Sequence, residues 1–389
     1  MRIAVVTVAA SGIGGMQRHT QYLLRGLAEA GHDAELIAPA TRSDPRWLDR
    51  FYEAFVEAHR RAPFDVIHSE STSALGLVRR GVHREVPIVA KFQGNFLGLT
   101  RAHVQRVLAG RPLGREIKDF LWMSRVHFRH GNWWRFRDVE WIVPSRQQFK
   151  NQRRSHFLHA DRGHVVPNGV DASFFQPAAA HAVRARLGLD EGPLMLAVGR
   201  LNHEKGMHTA IAALARLGPP ARLIILGDGE ERARLHELAR TLGVEDRVQF
   251  AGPQPAEVVA DYFAACDVFV FPTERDEGAP VVLVEALSSG IAVVASDIDQ
   301  VSEVIDRPGE NGVLIGRGDV AGLADAAQRL FADDDLRRRV GQGGRERILA
   351  EYTLEQMVQR TLAVYEVVLG RRARRESPGW AGNLGLLRA

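Results

Sequence analysis

The stretch DVFVFPTERDEGAPVVLVEALSSGIAVVASD, residues 267–297, joins two apolar runs of strand length through a segment of helical length. Pro280 suits the first turn of a helix, and Gly290 suits the position just after its last turn. Uninterrupted apolar runs on either side of a helix are typical of parallel strands that are covered on both faces. The stretch therefore predicts a strand–helix–strand unit.

The same alternation of strands and helices runs through the chain twice. The strand-like runs of the first half are RIAVVTV, DAELIAP, FDVIHSE and PIVAKFQG, and those of the second half are PLMLAVGRL, ARLIILGDG, RVQFAG, DVFVFPT and IAVVASD. The turn residues of VVPNGVD separate the two series. A chain of 389 residues is also too long for one ordinary core. We predict two α/β domains, residues 1–168 and 169–353, each a Rossmann-like doubly wound sheet, facing each other across a cleft.

The end of the chain predicts a helix and a tail. A long helix is expected over about 354–369, packing back on the amino-terminal domain. Residues 370–389 are basic, contain glycine, and are expected to form a flexible tail.

Composition restricts the class of protein. The single cysteine, Cys266, excludes an internal disulfide framework and fits a reducing compartment. The sequence has neither a secretory signal nor an apolar run of membrane-spanning length, so we expect a cytoplasmic protein, peripheral on a membrane at most. Basic residues outnumber acidic ones in residues 1–165, and the balance reverses afterwards. This asymmetry fits either an anionic partner for the first half or an ordinary solvated surface.

A glycine-rich loop follows the first strand. Gly12, Gly14 and Gly15 would let the backbone approach a ligand at the start of a helix. The loop is a near miss to the dinucleotide fingerprint, because Gln17 stands at the third glycine position. Both a ligand loop and a tight turn remain open.

Charged residues follow the strands of the second half. Arg200 and Lys205 in VGRLNHEKG are suited to a diphosphate, the arginine through its fork and the lysine as a point charge. Glu277 lies in the loop before a helix, and Glu285 lies inside that helix among apolar residues. A carboxylate at that depth needs hydrogen-bond donors, which ribose hydroxyls would supply, although a partner within the protein would serve as well.

These segments together resemble the retaining GT-B glycosyltransferases of family 4. GIGGMQRH resembles the family's first loop, VVPNGVD its interdomain signature, and VGRLNHEKG its donor-phosphate loop. LGDGEE resembles the following turn, and EGAPVVLVEALSSGIAVVAS resembles the E-x7-E element. The resemblance implies a hexosyltransferase-type enzyme of EC class 2.4 that uses a nucleoside-diphosphate sugar. It also implies a donor site and catalytic residues (catalytic: Arg200, Lys205, Glu277; donor-binding: Gly14, Gly15, Arg200, Lys205, Glu277, Gly278, Ala279, Glu285).

The acceptor side departs from the family pattern. Gln93 and Glu70 stand where the family often has histidines. Gln93 can hydrogen-bond a hydroxyl but cannot take up a proton. A departing phosphate oxygen would then accept the acceptor's proton.

The expected partners are a sugar-nucleotide donor and a glycan, lipid or small-molecule acceptor, with no nucleic acid, no cofactor and no metal. Asp297 and Asp299 form a D-x-D pattern that we interpret as coincidental. Residues 101–141 are rich in arginine and include Trp122, Trp133, Trp134 and Trp141, which suit either an anionic membrane surface or a helix pair with an aromatic core.

Other functions are compatible with the same pattern. A Rossmann oxidoreductase would leave Arg200, Lys205, Glu277 and Glu285 without a role. A sugar-nucleotide epimerase would form product without an acceptor, and a non-catalytic sugar-nucleotide-binding protein would bind without turnover.

Overall fold

The computed structural model describes residues 1–8, 15–40, 44, 46–93, 117, 121, 136, 139–156, 158–278 and 280–376. Within these, the strands are β1 (Arg2–Val6), β2 (Asp33–Ile37), β3 (Val66–Glu70), β4 (Ile88–Lys91), β5 (Glu140–Val143), β6 (Gly163–Val165), β7 (Leu194–Val198), β8 (Arg222–Leu226), β9 (Val248–Gly252), β10 (Val268–Phe271), β11 (Ala292–Ser296) and β12 (Val313–Ile315).

The described α-helices are α1 (Gly15–Glu29), α2 (Trp47–Arg61), α3 (Leu75–Arg79), α4 (Arg146–His156), α5 (Ala180–Leu187), α6 (Met207–Arg216), α7 (Arg232–Thr241), α8 (Ala256–Ala265), α9 (Val281–Ser288), α10 (Asp299–Ser302), α11 (Val320–Ala332), α12 (Asp334–Glu351) and α13 (Leu354–Glu376). Short 3-10 helices cover Val82–Arg84, Ala160–Arg162, His203–Lys205 and Glu245–Arg247.

The chain divides into two compact units. Among the described residues, the first unit contains those within 1–93, 117–167 and 355–376, and the second contains those within 168–354. The division after Pro167 falls within VVPNGVD. Helix α13 belongs to the first unit from Glu355 onward, and it continues to Glu376, beyond the predicted end at Leu369.

The first unit contains a parallel sheet in the order β2-β1-β3-β4-β5-β6. Its core lies between the sheet and its helices, with fully buried Phe51, Phe136 and Trp141 among the largest side chains. The strand order reverses its direction between β1 and β3. Ligands of open α/β sheets bind beyond the carboxyl ends of the strands at such a reversal.

The second unit contains a parallel sheet in the order β12-β11-β10-β7-β8-β9. Numbered within the unit, this is the classic dinucleotide-fold order, with β7 first and β10 fourth. The strands β7 and β10 are neighbours, with Met195 opposite Val268 and Leu196 opposite Phe269. The reversal lies between them, so the loops after β7 and β10 border the expected ligand crevice of this unit.

Candidate active site

Backbone hydrogen bonds join the loop that follows β7 to the loop that follows β8. Gly199 N–H donates to the Leu226 carbonyl at 2.9 Å, and Leu201 N–H donates to the Asp228 carbonyl at 3.0 Å. Gly227 has φ +135°, and a Cβ added there would overlap the Gly199 carbonyl oxygen. The glycines of LGDG therefore permit a close approach that holds the Arg200 segment in place.

The 3-10 helix His203–Lys205 is fixed against the loop after β10. Glu274 N–H donates to the Glu204 carbonyl at 2.8 Å, and Thr273 Oγ1 lies 3.2 Å from the same oxygen. Gly206 follows this helix and has φ +68°. A Cβ added at Gly206 would overlap the Pro272 carbonyl oxygen. These contacts bring Lys205 next to the segment that leads to Glu277.

Lys205 and Glu277 form an ion pair at the end of this arrangement. Lys205 Nζ lies 2.6 Å from Glu277 Oε1, and Thr273 Oγ1 donates to the same oxygen at 2.9 Å. The Glu277 side chain is 9% exposed and that of Lys205 is 20% exposed. Burial raises the pKa of the Glu277 carboxyl, but the charges of Lys205 and Arg275 and the two hydrogen bonds outweigh it and hold the pKa below its usual value.

Arg200 lies two residues after the end of β7 and is exposed. Among the residues that the structure describes, no carboxylate lies within ion-pair distance of its guanidinium. Arg275, on the neighbouring loop, is instead held by Glu204, with Nη1 3.0 Å from Oε2. The guanidinium of Arg200 is accordingly available to an anion that enters the crevice of the second unit.

Helix α9 places Glu285 beside the same crevice. The helix begins at Val281, directly after Pro280, and glycine at 290 follows its end with φ +74°. Glu285 is fully buried within it. The helix start lies at the carboxyl end of β10, where its free N–H groups favour an anion. Gly278 is described and half-buried, whereas Ala279 lies outside the described residues.

The candidate residues of the first unit lie at the corresponding reversal of its sheet. Gly15 is the first residue of α1, while Gly12 and Gly14 lie outside the described residues. Glu70 ends β3 and is fully buried, and Gln93 follows β4 and is half-buried. Gln93 Nε2 donates to Glu70 Oε2 at 3.1 Å. Gln93 is therefore the more accessible residue of this pair.

A buried polar network surrounds Glu70. Its Oε1 lies 3.2 Å from His19 Nε2 and 3.5 Å from His68 Nε2. Tyr365 of α13 contacts His68 Nδ1 through its hydroxyl at 2.8 Å, and Lys91 is opposite Glu70 in the register of β3 and β4. All five side chains are at most 1% exposed.

Burial and charge set the protonation states of this network. Burial lowers the pKa of His19 to about 4, reinforced by Lys91, and lowers that of Lys91 to about 8 against the attraction of Glu70. The pKa of Glu70 is depressed, because His19 and His68 outweigh the effect of burial. Near neutral pH, Glu70 is therefore a carboxylate, Lys91 is an ammonium that balances it, and His19 is neutral.

Comparison with known proteins connects both units to one family. Residues 13–174 match the family described as Glycosyltransferase Family 4, and residues 181–347 match Glycosyl transferases group 1. The chain belongs to the group 1 glycosyltransferases of family 4. This confirms the predicted family.

Curated relatives of this glycosyltransferase include the lipopolysaccharide core biosynthesis glycosyltransferase LpsE of Rhizobium meliloti (strain 1021). It is 39% identical over 165 residues, which cover 42% of this chain and 47% of the relative. The chain spans about half the length of the curated relatives it matches.

Several solved structures resemble this chain over most of its length. Sucrose-phosphate synthase from Thermosynechococcus elongatus aligns with a TM-score of 0.78 and 24% identity, covering 95% of this chain and 99% of the other. Anabaena Alr3699/HepE, in complex with UDP and glucose, aligns with a TM-score of 0.75 and 18% identity, covering 94% and 100%. At these identities the likeness concerns the fold. Together with the two parallel sheets, it confirms the predicted GT-B class.

Several polar residues around the glycosyltransferase site were not predicted from sequence. Thr273 and Glu204 hold the Lys205 loop, and His19, Lys91 and Tyr365 surround Glu70. These side chains come from separate segments and follow no spacing rule, so only the three-dimensional structure brings them together.

The remaining sequence features lie away from these crevices or outside the described residues. Asp297 accepts a hydrogen bond from Ser302 Oγ at 2.6 Å, and Asp299 begins α10. Cys266 is buried, and burial raises the pKa of its thiol. Trp141 lies in the core of the first unit, and Trp122, Trp133 and Trp134 lie outside the described residues. Within the described part, no helix has the length and apolar character required to cross a bilayer.

Proposed function

We propose that the chain is a retaining glycosyltransferase that moves a sugar from a nucleoside-diphosphate sugar to an acceptor hydroxyl. The observation that carries the proposal is the arrangement at the strand reversal of the second unit. There, exposed Arg200 lies two residues after the end of β7, and Lys205 contacts Glu277 in the loop after β10. This places two cations and a carboxylate where a sheet of this order binds nucleotides.

The donor diphosphate would occupy the space between Arg200 and Lys205. An ammonium has three donors, so Lys205 is able to keep Glu277 and bind a phosphate oxygen at once. The N-terminus of α9 adds a favourable partial charge. Glu277, already ionised, would then accept hydrogen bonds from the transferred sugar, and Glu285 from the ribose.

The chemical step builds negative charge on the departing diphosphate and positive charge on the sugar. Arg200, Lys205 and the helix start stabilise the first of these charges without reorganising. Gln93 cannot serve as a base, so a departing phosphate oxygen accepts the proton of the acceptor hydroxyl. The proposed catalysis uses protein cations for this charge and is independent of a metal ion.

The acceptor class is proposed from two observations. Basic residues predominate in residues 1–165, and the relative LpsE is named for lipopolysaccharide core biosynthesis. Both favour an anionic, lipid-linked glycan as acceptor, and with it peripheral contact with the cytoplasmic face of an anionic membrane. A small-molecule glycoside would be the alternative acceptor.

A two-stage assay tests the function. The purified chain is first screened by thermal shift against UDP-, GDP- and other sugar nucleotides and NAD(P). The best donor is then incubated with and without lipopolysaccharide-core and small-glycoside acceptors. Transfer with the donor's anomeric configuration, established by NMR, supports the proposal. Acceptor-independent conversion of the donor sugar would indicate an epimerase, and binding without turnover would indicate a non-catalytic protein.

A further inference from the structure

A second cluster of chemically reactive side chains lies in the second unit, outside the proposed donor contacts. It consists of His203 in the 3-10 helix, His208 in the first turn of α6, and Glu274 after β10. His208 Nε2 lies 2.8 Å from Glu274 Oε1, and the two imidazole rings stack with centroids 4.5 Å apart and planes 2° apart. One ligand atom from each of the three residues lies within 4.8 Å of the others.

His203 and His208 of this cluster line a cavity. Its volume is about 340 Å³, and its lining includes His203, His208, Glu231 and Arg234. The three clustered side chains are partly exposed, at 18%, 31% and 26% for His203, His208 and Glu274. An ion could therefore reach them from solvent and keep water in its remaining positions.

The charges around the cavity favour a cation. Glu274 and Glu231 contribute two carboxylates, and Arg234 offsets one of them, with Nη1 3.4 Å from Glu231 Oε2. Glu231 Oε2 also lies 4.0 Å from His203 Nδ1, where a small rotation would let it orient that ring.

We propose that His203, His208 and Glu274 form a binding site for a divalent transition ion of the zinc class. Two imidazoles and one carboxylate are a common zinc set and a poor one for magnesium. The parallel rings require side-chain rotation to direct their nitrogens at one point.

The other cluster of this composition is a weaker candidate. His19, His68 and Glu70 are fully buried, and the ammonium of Lys91 already balances the carboxylate there. Adding a divalent ion would leave excess positive charge in a dry environment, which is strongly unfavourable.

The proposed ion site is close in sequence to two residues of the proposed donor site. His203 lies two residues before Lys205, and Glu274 three before Glu277. A bound ion would join the two segments that the Glu274–Glu204 backbone hydrogen bond already links. It would restrain the loop that carries the donor-phosphate lysine. This consequence rests on the proposed function, whereas ion binding does not.

The test uses the full chain without a histidine tag, stripped of metal by chelator and dialysis. Zinc is titrated in competition with a chromophoric chelator, with magnesium present in excess. One equivalent of zinc is expected to bind. In His208→Gln, whose amide preserves a donor near Glu274, we expect zinc affinity to fall by more than the roughly 10–100-fold that loss of an outer partner costs. Glu231→Gln removes the carboxylate expected to orient the His203 ring. Zinc binding should weaken by about tenfold in this variant.

His181→Gln is the matched control. His181 forms an exposed pair with Glu191 at 3.0 Å, and among the described residues it belongs to no group of three possible metal ligands. The His181→Gln variant should bind zinc with the same affinity as the parent protein. The proposal is overturned if no saturable binding occurs, if binding survives His208→Gln, or if it is lost in His68→Gln instead. Thermal melting of each variant without zinc confirms that the fold is retained.

Discussion

Lys205 Nζ and Glu277 Oε1 lie 2.6 Å apart, although the two residues belong to loops after different strands of the second unit. The contact depends on the close approach of the 3-10 helix His203–Lys205 to Pro272 and Thr273. The cation proposed for the donor phosphates and the carboxylate proposed for the sugar are thus held together by the fold. Preorganisation of this kind avoids reorganisation during the reaction.

Removal of Lys205 should impair catalysis and stability separately. In Lys205→Ala we expect turnover to fall on the order of 100-fold or more. The uncompensated Glu277 carboxylate should also cost about 1–3 kcal/mol of unfolding free energy. Adding Glu277→Gln should recover most of the stability and none of the activity, because the buried charge is removed while the phosphate contact stays lost. Chemical denaturation and steady-state kinetics measure the two effects.

Removal of Arg200 should affect catalysis alone. Since Arg200 is exposed and has no carboxylate partner among the described residues, Arg200→Ala should lose on the order of 100-fold in turnover and keep its melting temperature. Arg216→Ala, at the exposed end of α6, is the matched control and should retain full turnover. Near-parental turnover in Arg200→Ala would refute its phosphate role.

Glu285 is expected to recognise the ribose of the donor. In Glu285→Gln, the donor KM should rise by about 10–100-fold, the range for a lost hydrogen bond to a charged group. The test compares the ribose nucleotide with its 2′- and 3′-deoxy analogues. The parent should discriminate between them and the variant should not. Equal discrimination by both proteins would assign Glu285 a purely structural role.

The packing of the Lys205 loop is tested by a pair of glycine substitutions. Gly206 and Gly243 have φ +68° and +66°, but an added Cβ meets Pro272 at Gly206 and open space at Gly243. Gly243→Ala should therefore cost about 1–2 kcal/mol, the strain of the left-handed conformation. Gly206→Ala should cost more and also raise the donor KM, because Pro272 or the 3-10 helix must move. Equal costs, measured by denaturation, would contradict the close approach.

The buried network of the first unit should make stability depend on pH. The folded pKa of His19 is lowered to about 4 from 6.5, so the unfolded state binds the proton more readily between these values. The contribution of His19 to stability should be fully present above about pH 6.5 and should fall by on the order of 3 kcal/mol as the pH decreases to about 4. His19→Gln should flatten this decline. Denaturant unfolding at a series of pH values measures the slope, and an unchanged slope in the variant would exclude His19 as its source.

Of the described strands, the sequence predicted nine and missed three, two of which span only three residues. The strands β1 to β4 and β7 to β11 follow from apolar runs, because parallel strands covered on both faces need them. In contrast, β5, β6 and β12 span only Glu140–Val143, Gly163–Val165 and Val313–Ile315. Such short runs, some of them half-exposed, show little of the apolar pattern that predicts a strand. Their pairing with neighbouring strands in the sheet identifies them.

The end of α13 shows how a distant contact overrides local composition. GRRARRE was expected to lie in a flexible tail because it is polar and begins with glycine. In the structure Arg371 reaches Glu140 of β5 and donates to the Asp161 carbonyl at 2.9 Å. Those partners lie in a different part of the chain, so the sequence around residue 371 cannot reveal them.

The location of a bound donor tests the central claim most directly. A crystal structure should be determined with the sugar nucleotide that gives the largest thermal shift. We predict that its diphosphate contacts Arg200 and Lys205, with the ribose hydroxyls on Glu285 and the sugar beside Glu277. A nucleotide bound away from the β7–β10 reversal, with the Lys205–Glu277 pair untouched, would contradict the account.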